Sequence, residues 1–377
     1  LLSAAGRLHL DWSADYRMYS RDRIAPDSLF ASVRQALLQQ LPSDCPAVVA
    51  LDDTRLPKSG RKVSGAKYTR DPLGPPFQVN FIWAQRFLGL SMASASDGQA
   101  RMVPIAWRHA PPPAKPKANA TAEQRQRYLD DARKQSLGVV ATEELARLRC
   151  WMDEQGQAQR SLWVVVDGGY TNQTVLTKLP ARTVLVGRIR ADAKLYMLPD
   201  ATVSKGRPRI YGAVAPTPEQ LRCDEAVAWQ KTLVFIGGQQ REVRFKTLAG
   251  LRWRAAGAAH TLRLIVLAPL RYRLTPTGKY LYRSPAYLIT TDLETSPQTI
   301  IQRYIHRWDI ESLPNPRWNR RVRTRISTRQ LIQQIREDLW GEALTFSGFA
   351  SNCSHRRSAE NSLHNPYHAV IYASRFS

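Results

Sequence analysis

The chain has 377 residues, is 43% hydrophobic and carries a formal net charge of +24 at pH 7. This length and composition predict a globular protein with one large core plus an insertion, or with two ordinary cores, and the charge favours nucleic acid as a partner. No apolar run approaches the roughly 20 residues needed to span a bilayer, so we do not expect membrane anchoring.

The four cysteines form no CxxC pair, and the seven histidines are scattered. Neither a disulfide framework nor a zinc site is therefore predicted. The chain begins at Leu1 without a secretory signal. We therefore expect a cytoplasmic protein with a truncated N-terminal helical region.

A helix and a strand are predicted first in chain order. Apolar residues at helical spacing predict one amphipathic helix over residues 25–41, with Pro26 near its start. The apolar run 47–51 predicts a buried strand that ends in Asp52 and Asp53. Acids at the carboxyl end of a strand are well placed for chemistry.

Three more strands and a helix come next. The strands are predicted over residues 77–83, 88–93 and 102–107, where they form a meander. After a stiff basic connector at 111–117, Thr121 and Gln124 form a capping box for one long helix that extends to Trp151.

A second acid follows a second apolar strand. The run 162–166 is broken at Asp167 by two glycines, which predicts a central strand that delivers an acid to a tight turn. A short helix over 172–179 and a strand over 183–186 come next. Alternating runs and turn signals over residues 190–283 then predict a β-rich insertion.

The last predicted elements are a strand at 286–290 and a helix. Ser296 as N-cap and Pro297 at the first helical position predict the start of this helix. Three polar residues share the arc of the helix that also carries its apolar residues: Tyr304, Arg307 and Glu311. We therefore expect an arginine and a glutamate on the face that docks inward.

The order of these elements predicts an RNase H-like α/β core, a mixed β-sheet flanked by helices, with an inserted β-rich subdomain. The predicted divisions are an N-terminal helical region (1–45), the first part of the core (46–188), the insertion (189–285), the last strand and helix of the core (286–312) and an aberrant Arg-rich tail (313–377). Three carboxylates at two strand ends and on one helix can hold two divalent ions about 3.5–4 Å apart for in-line phosphoryl displacement. Oxygen ligands favour Mg²⁺ or Mn²⁺.

Four segments of the sequence resemble one enzyme family. They are LDDTRLPKSG (51–60), VVVDGGYTN (164–172), KGRPRIYG (205–212) and YLITTDL with YIHRWDIE (within 287–311). They look like the DDE transposases of bacterial insertion sequences, in the branch with a Tyr-x2-Arg-x3-Glu signature and a β insertion. The resemblance covers roughly residues 48–311.

The resemblance implies a set of site residues. The catalytic acids and metal ligands would be Asp53, Asp167 and Glu311, holding two Mg²⁺ ions that Mn²⁺ can replace. Tyr304 and Arg307 would contact DNA phosphate near the cut, since a guanidinium grips phosphate bidentately. Asp53 is chosen over Asp52 because of the resemblance. Strand alternation says only that neighbouring residues face opposite sides.

Five further cations are predicted to contact DNA. They are Lys58, Arg61, Lys62, Arg207 and Arg209. For the first three, a solvated loop is an equally good interpretation. The other two flank Pro208 and could simply cap a turn, but phosphate contact is favoured because Pro208 stiffens the loop and displays both guanidinium groups.

The sequence departs from the family after Glu311. The family has a lysine seven residues beyond its glutamate, where this chain has Trp318, and Pro314 and Pro316 would end the helix. We hypothesise that the reading frame changes there, so that the tail is non-native. A helix-turn-helix reader is not predicted, because only one helix precedes Asp53.

Together these features predict a transposase that cleaves DNA and transfers strands of an insertion sequence. Its partners would be double-stranded DNA, as transposon ends and target, and by analogy a second copy in a homodimer on DNA. We expect it at the bacterial nucleoid. Two alternatives remain open: an inactive DNA-binding remnant, and an RNase H-like nuclease that cuts without joining.

Overall fold

The computed structural model describes residues 11, 13, 17, 25–71, 79–94, 101–199, 209–236, 239–272 and 279–312. The predicted tail at 313–377, Arg207 and most of the region before residue 25 lie outside them. The chain divides into two compact units. The larger contains the described residues of 37–55 and 85–312, and the smaller contains the described residues of 1–36 and 56–84.

The elements follow in chain order. They are α1 (Pro26–Gln40), β1 (Ala47–Pro57), β2 (Lys67–Arg70), β3 (Phe81–Ala93), β4 (Met102–His109), α2 (Ala122–Lys134), α3 (Leu137–Glu154), β5 (Leu162–Val166), α4 (Gln173–Thr177), β6 (Thr183–Arg188), β7 (Leu195–Met197), α5 (Pro218–Cys223), β8 (Gln230–Ile236), β9 (Gln239–Trp253), β10 (Gly257–Leu267), β11 (Arg271–Tyr272), β12 (Leu281–Tyr282), β13 (Ala286–Thr290) and α6 (Pro297–Ser312).

The larger unit is built on a mixed sheet. Its strand order is β3-β1-β5-β6-β13-β10-β9-β7, with β4 paired to β3 and β8 paired to β9. The pairs β1/β5 and β5/β6 are parallel, whereas β13 pairs antiparallel with β6 and with β10. All five residues of β5 are buried, as expected for a central parallel strand. A mixed sheet with helices confirms the predicted RNase H-like α/β fold class.

The β-rich segment between β6 and β13 adds strands to this sheet. β10 pairs with β13, β9 pairs with β10, and β7 pairs with β9. The turn between β9 and β10 ends at Gly257, whose φ of +73° lies in the left-handed region that favours glycine. These strands extend the sheet past β13 because each one supplies hydrogen-bonding partners to the next.

Two element predictions were wrong. The strands predicted at 77–83 and 88–93 are one strand, β3, because the backbone pairing of a strand continues through polar side chains at Gln85 and Arg86. The single helix predicted from Thr121 to Trp151 is two, α2 and α3. The helix is broken at Ser136, whose hydroxyl accepts a hydrogen bond from Val139 N at 3.4 Å and begins α3.

The first two acids lie inside a strand rather than after it. β1 continues through Asp52 and Asp53 to Pro57. Its pairing with β5 nevertheless ends at Leu51↔Val166, one residue before Asp52. The acids therefore lie just beyond the last paired residues of β1 and β5.

In the smaller unit, Trp83 holds a basic turn. Its indole Nε1 donates to the Gly60 carbonyl at 2.8 Å, and its own carbonyl accepts from Lys58 N at 2.8 Å. The ring of Tyr68 on β2 lies 5.2 Å from the Trp83 ring, centroid to centroid. Hydrogen bonds to Trp83 thus hold the backbone of the turn after β1, which carries exposed cations.

Candidate active site

Asp167 lies in a turn that is held by hydrogen bonds. Its Oδ1 accepts from Gly169 N at 2.9 Å, and its carbonyl accepts from the Thr171 hydroxyl at 2.8 Å. Asn172 closes the turn: its amide donates to the Gly169 carbonyl, and its Oδ1 caps α4 through Val175 N. The carboxylate is therefore presented in one orientation where β5 ends.

A glycine on the neighbouring strand makes this turn fit. A Cβ added at Gly187 of β6 would lie 2.1 Å from Thr171 Oγ1 and 3.0 Å from Val166 Cγ2. Any larger residue would displace Thr171 and so release the Asp167 carbonyl. The sequence analysis did not identify Gly187, since only the packing of β6 against the turn shows its role.

Asp52 is the acid nearest to Asp167 along the sheet. The parallel register pairs Ala50 with Val165 and Leu51 with Val166, and one further step places Asp52 beside Asp167. Burial raises the pKa of Asp52 to about 6, and the negative charge of Asp167 adds to this effect, while Arg307 opposes it. Two carboxylates thus lie close enough at the ends of these strands for the charge of one to affect the pKa of the other.

Asp53 makes different contacts. Its Oδ1 accepts from the Tyr170 hydroxyl at 3.1 Å, and its Oδ2 lies 3.3 Å from an Arg55 guanidinium nitrogen. Burial and the Asp53 carboxylate together raise the pKa of Tyr170. Burial lowers the pKa of Arg86, and the charge of Asp53 counteracts this. The sequence analysis missed all three partners, although Arg55 is two residues from Asp53 on the same strand.

Helix α6 packs on one face of the sheet. Its residues Ile300, Ile301, Tyr304 and Ile305 belong to the same buried cluster as Val48, Ala50, Trp163 and Val165. The Arg303 guanidinium lies 3.9 Å from the centroid of the Trp163 ring, a cation–π contact. Gln302 exchanges hydrogen bonds with the backbone of Phe235, which ties α6 to β8.

The predicted inward face of α6 is confirmed for two residues. Tyr304 is 1% exposed and Arg307 is 8% exposed. Burial raises the pKa of Tyr304, while Arg307 opposes this rise. Glu311 lies in the last turn of α6, and its side chain is outside the described part of the structure. Contact of Tyr304 and Arg307 with DNA stays a prediction.

The predicted basic contacts fall in two places. Arg61 and Lys62 are exposed and Lys58 is half-buried, all in the smaller unit. Arg209 is exposed in the larger unit, and Arg207 lies outside the described residues. Their role in binding DNA stays a prediction.

The sequence matches a family model described as DDE superfamily endonuclease over residues 13–243, more than half of the chain. The chain belongs to this family. A comparison with curated proteins gave no match. The matched residues include Asp52, Asp53 and Asp167 and end before α6. As a DDE superfamily endonuclease, the chain is a nuclease-type enzyme that acts on DNA.

The DDE superfamily generally uses divalent metal ions, and the donors here fit such ions. Asp52 and Asp167 bring carboxylate oxygens to one strand edge, the donor type that Mg²⁺ and Mn²⁺ prefer. Burial, with a smaller contribution from the charge of Asp167, raises the pKa of Asp52, and a bound cation would stabilise its ionised form. Among the described residues, no group of three His, Cys, Asp or Glu side chains is arranged to hold a metal ion.

No helix in the described part of this DDE endonuclease is long and apolar enough to cross a membrane.

Proposed function

We propose that this DDE endonuclease is a transposase that cuts DNA and joins the cut strands of a bacterial insertion sequence to target DNA. The observation that carries the proposal is the position of Asp167 beside the acids of β1, on a sheet whose face is covered by α6 with Arg307. In this proposal, two strands and one helix would bring three carboxylates together, as two-metal chemistry requires.

The metal donors are one acid of the Asp52/Asp53 pair, Asp167 and Glu311. The family resemblance favours Asp53 within the pair. Two Mg²⁺ ions, for which Mn²⁺ can substitute, would activate water or a 3′-hydroxyl and stabilise the leaving oxygen. Glu311 is included because helical periodicity places it on the same face as Tyr304, seven residues earlier.

Two residues of α6, Arg307 and Tyr304, would contribute to binding a phosphate beside these acids. Arg307 is 8% exposed, and its positive charge favours the ionised form of Asp52 and so opposes the rise in the pKa of that carboxyl. A guanidinium in this position would hold a phosphate oxygen and orient the strand for cleavage. Tyr304, buried beside Arg307, sets the position of that guanidinium by packing.

Binding of long DNA would use exposed cations of both units. Lys58, Arg61, Lys62, Arg207 and Arg209 would contact backbone phosphates, which position DNA without reading its sequence. Joining two transposon ends would require two such sites, so a homodimer on DNA is part of the proposal. The enzyme would then work at the bacterial nucleoid.

The test is nicking of supercoiled plasmid by the full chain with Mg²⁺, compared with Asp167→Asn. We expect Asp167→Asn to lower the nicking rate at least about 100-fold, because a metal ligand is lost while the turn keeps an isosteric residue. Asp44→Asn is the matched control: Asp44 is exposed in the loop before β1, and its loss should leave the rate unchanged.

The products separate the proposal from its alternatives. Linkage of donor ends to target DNA supports a transposase, whereas nicks without any linkage would support a nuclease that cuts only. A folded parent that binds DNA but makes no nicks with Mg²⁺ or Mn²⁺ would contradict the proposal and favour an inactive remnant.

A further inference from the structure

The two neighbouring aspartates of β1 lie on opposite faces of the sheet. Side chains alternate along a strand, so Asp52 continues the row of Val48 and Ala50, and Asp53 continues the row of Val49 and Leu51. The row that ends in Asp52 belongs to the cluster beneath α6, because Val48 and Ala50 pack there.

The register of β1 with β5 also places Asp52 on the face covered by α6. Trp163 and Val165 belong to the cluster under α6, and the same alternation continues to Asp167. Asp52 is the next position after the pair Leu51↔Val166, which makes it the neighbour of Asp167 across the two strands. Asp52 and Asp167 therefore share the face that α6 covers.

Helix α6 gives a second geometric reason. Arg307, the α6 residue predicted to contact phosphate, is buried, and so is Tyr304 one turn earlier on the same helix. Tyr304 packs in the cluster that contains Val48 and Ala50, the residues whose row continues to Asp52. The acid of β1 that shares the face beneath α6 is thus Asp52.

Asp53 already has two side-chain partners. The Tyr170 hydroxyl donates to one oxygen, and Arg55 pairs with the other. Tyr170 is 2% exposed and lies three residues after Asp167, so its bond to Asp53 connects β1 to the turn that carries Asp167. Asp53 therefore links β1 to the Asp167 turn through a side-chain hydrogen bond.

We propose that Asp52, rather than Asp53, is the β1 ligand of the catalytic metal, and that Asp53 is a positioning residue that ties β1 to the Asp167 turn through Tyr170. The inference rests on the proposed function of this site. It differs from the family resemblance, which selects Asp53. The resemblance depends on the position of a residue in the motif, whereas the inference depends on the face of the sheet on which its side chain lies.

The experiment measures Mn²⁺ binding by calorimetry and plasmid nicking for the full chain and four variants: Asp52→Asn, Asp52→Ala, Asp53→Asn and Asp53→Ala. Circular dichroism confirms that each is folded. Both Asp52 variants should weaken Mn²⁺ binding by more than about 100-fold, above the 10–100-fold range typical of residues that only support a ligand. Both should also abolish nicking.

The Asp53 variants should behave differently from each other. Asn keeps an oxygen that accepts from Tyr170 but cannot pair with Arg55, whereas Ala loses both contacts. Asp53→Asn should therefore bind Mn²⁺ within about tenfold of the parent and retain more nicking than Asp53→Ala. Partial rescue by Asn is not expected at a metal ligand, for which the charge itself is required.

Three outcomes would overturn the inference: loss of Mn²⁺ binding in a folded Asp53→Asn with binding retained in Asp52→Asn, equal loss in both, or no Mn²⁺ binding by the folded parent. Failure of the proposed function has a different signature. A parent that binds Mn²⁺ but does not nick DNA refutes the nuclease activity, while the Mn²⁺ titrations still decide between the two acids.

Discussion

At the scale of single residues, Asp52 is held at a position that its charge disfavours. Burial raises its pKa to about 6 from an ordinary value of 3.8, and Asp167 adds repulsion. The half-buried carboxylate has one backbone partner, Asp53 N at 2.8 Å. Such strain is expected where a cation is to be bound, because the ion would stabilise the ionised form.

This position predicts a pH-dependent stability for the metal-free protein. The folded pKa lies above the unfolded value, so the folded state binds more protons between about pH 3.8 and 6. Ionisation of Asp52 therefore lowers the free energy of unfolding as pH rises through that window. In EDTA, Asp52→Asn should be more stable than the parent at pH 7.5 by about 1–2 kcal/mol, a value discounted for partial exposure.

Urea unfolding at pH 4 and pH 7.5 measures this difference, which should shrink towards zero at the lower pH. Asp44→Asn, in an exposed loop, controls for the general loss of a negative charge. A stability difference between Asp52→Asn and parent that is the same at both pH values would contradict the prediction.

Some contacts of single residues could be predicted from the sequence and others could not. Asp167 was predicted from a buried run broken by Asp-Gly-Gly, and its turn agrees with that pattern. The contacts of Asp53 with Tyr170 were not predicted, because the two residues are 117 positions apart and meet only through the pairing of β1 with β5.

At the scale of elements, helix starts were predicted more reliably than helix lengths. The capping box of Thr121 and Gln124 is present, and Ser296 accepts from Thr299 N at the start of α6. These signals are local, so they depend little on the rest of the chain. The break between α2 and α3 was missed, because Gln135 and Ser136 are acceptable inside a helix and only the cap contact at Ser136 shows the new start.

The cap of α3 can be tested directly. Ser136→Ala removes the hydroxyl that accepts from Val139 N and should lower the free energy of unfolding by about 1 kcal/mol. Urea unfolding measures the loss, and Ser136→Thr, which retains a capping oxygen, should recover most of it. An unchanged stability for Ser136→Ala would show that α3 does not depend on this cap.

At the scale of the whole molecule, the charge of +24 predicts salt-dependent DNA binding. If Lys58, Arg61 and Lys62 each neutralise a phosphate, replacing all three by alanine should reduce the slope of log K against log salt by about 2–3. Fluorescence anisotropy with a labelled duplex at several salt concentrations measures this slope.

A second triple variant provides the control for that experiment. Arg127, Arg133 and Lys134 are exposed on α2, and replacing them by alanine removes the same charge. We expect this variant to change the slope by less than about 1, since these cations are not predicted to meet phosphate. Equal changes for both triples would show that binding depends on net charge rather than on the turn after β1.

The sequence by itself determined the class of the molecule: a basic α/β protein with acids next to two buried apolar runs and a helix carrying Tyr304, Arg307 and Glu311. These features depend on local periodicity, caps and composition, which each segment carries alone. The tertiary structure decided which face each acid occupies, because a shift of one residue between β1 and β5 would exchange Asp52 for Asp53 beside Asp167. Register is set by packing across the sheet and under α6, between residues far apart in the chain.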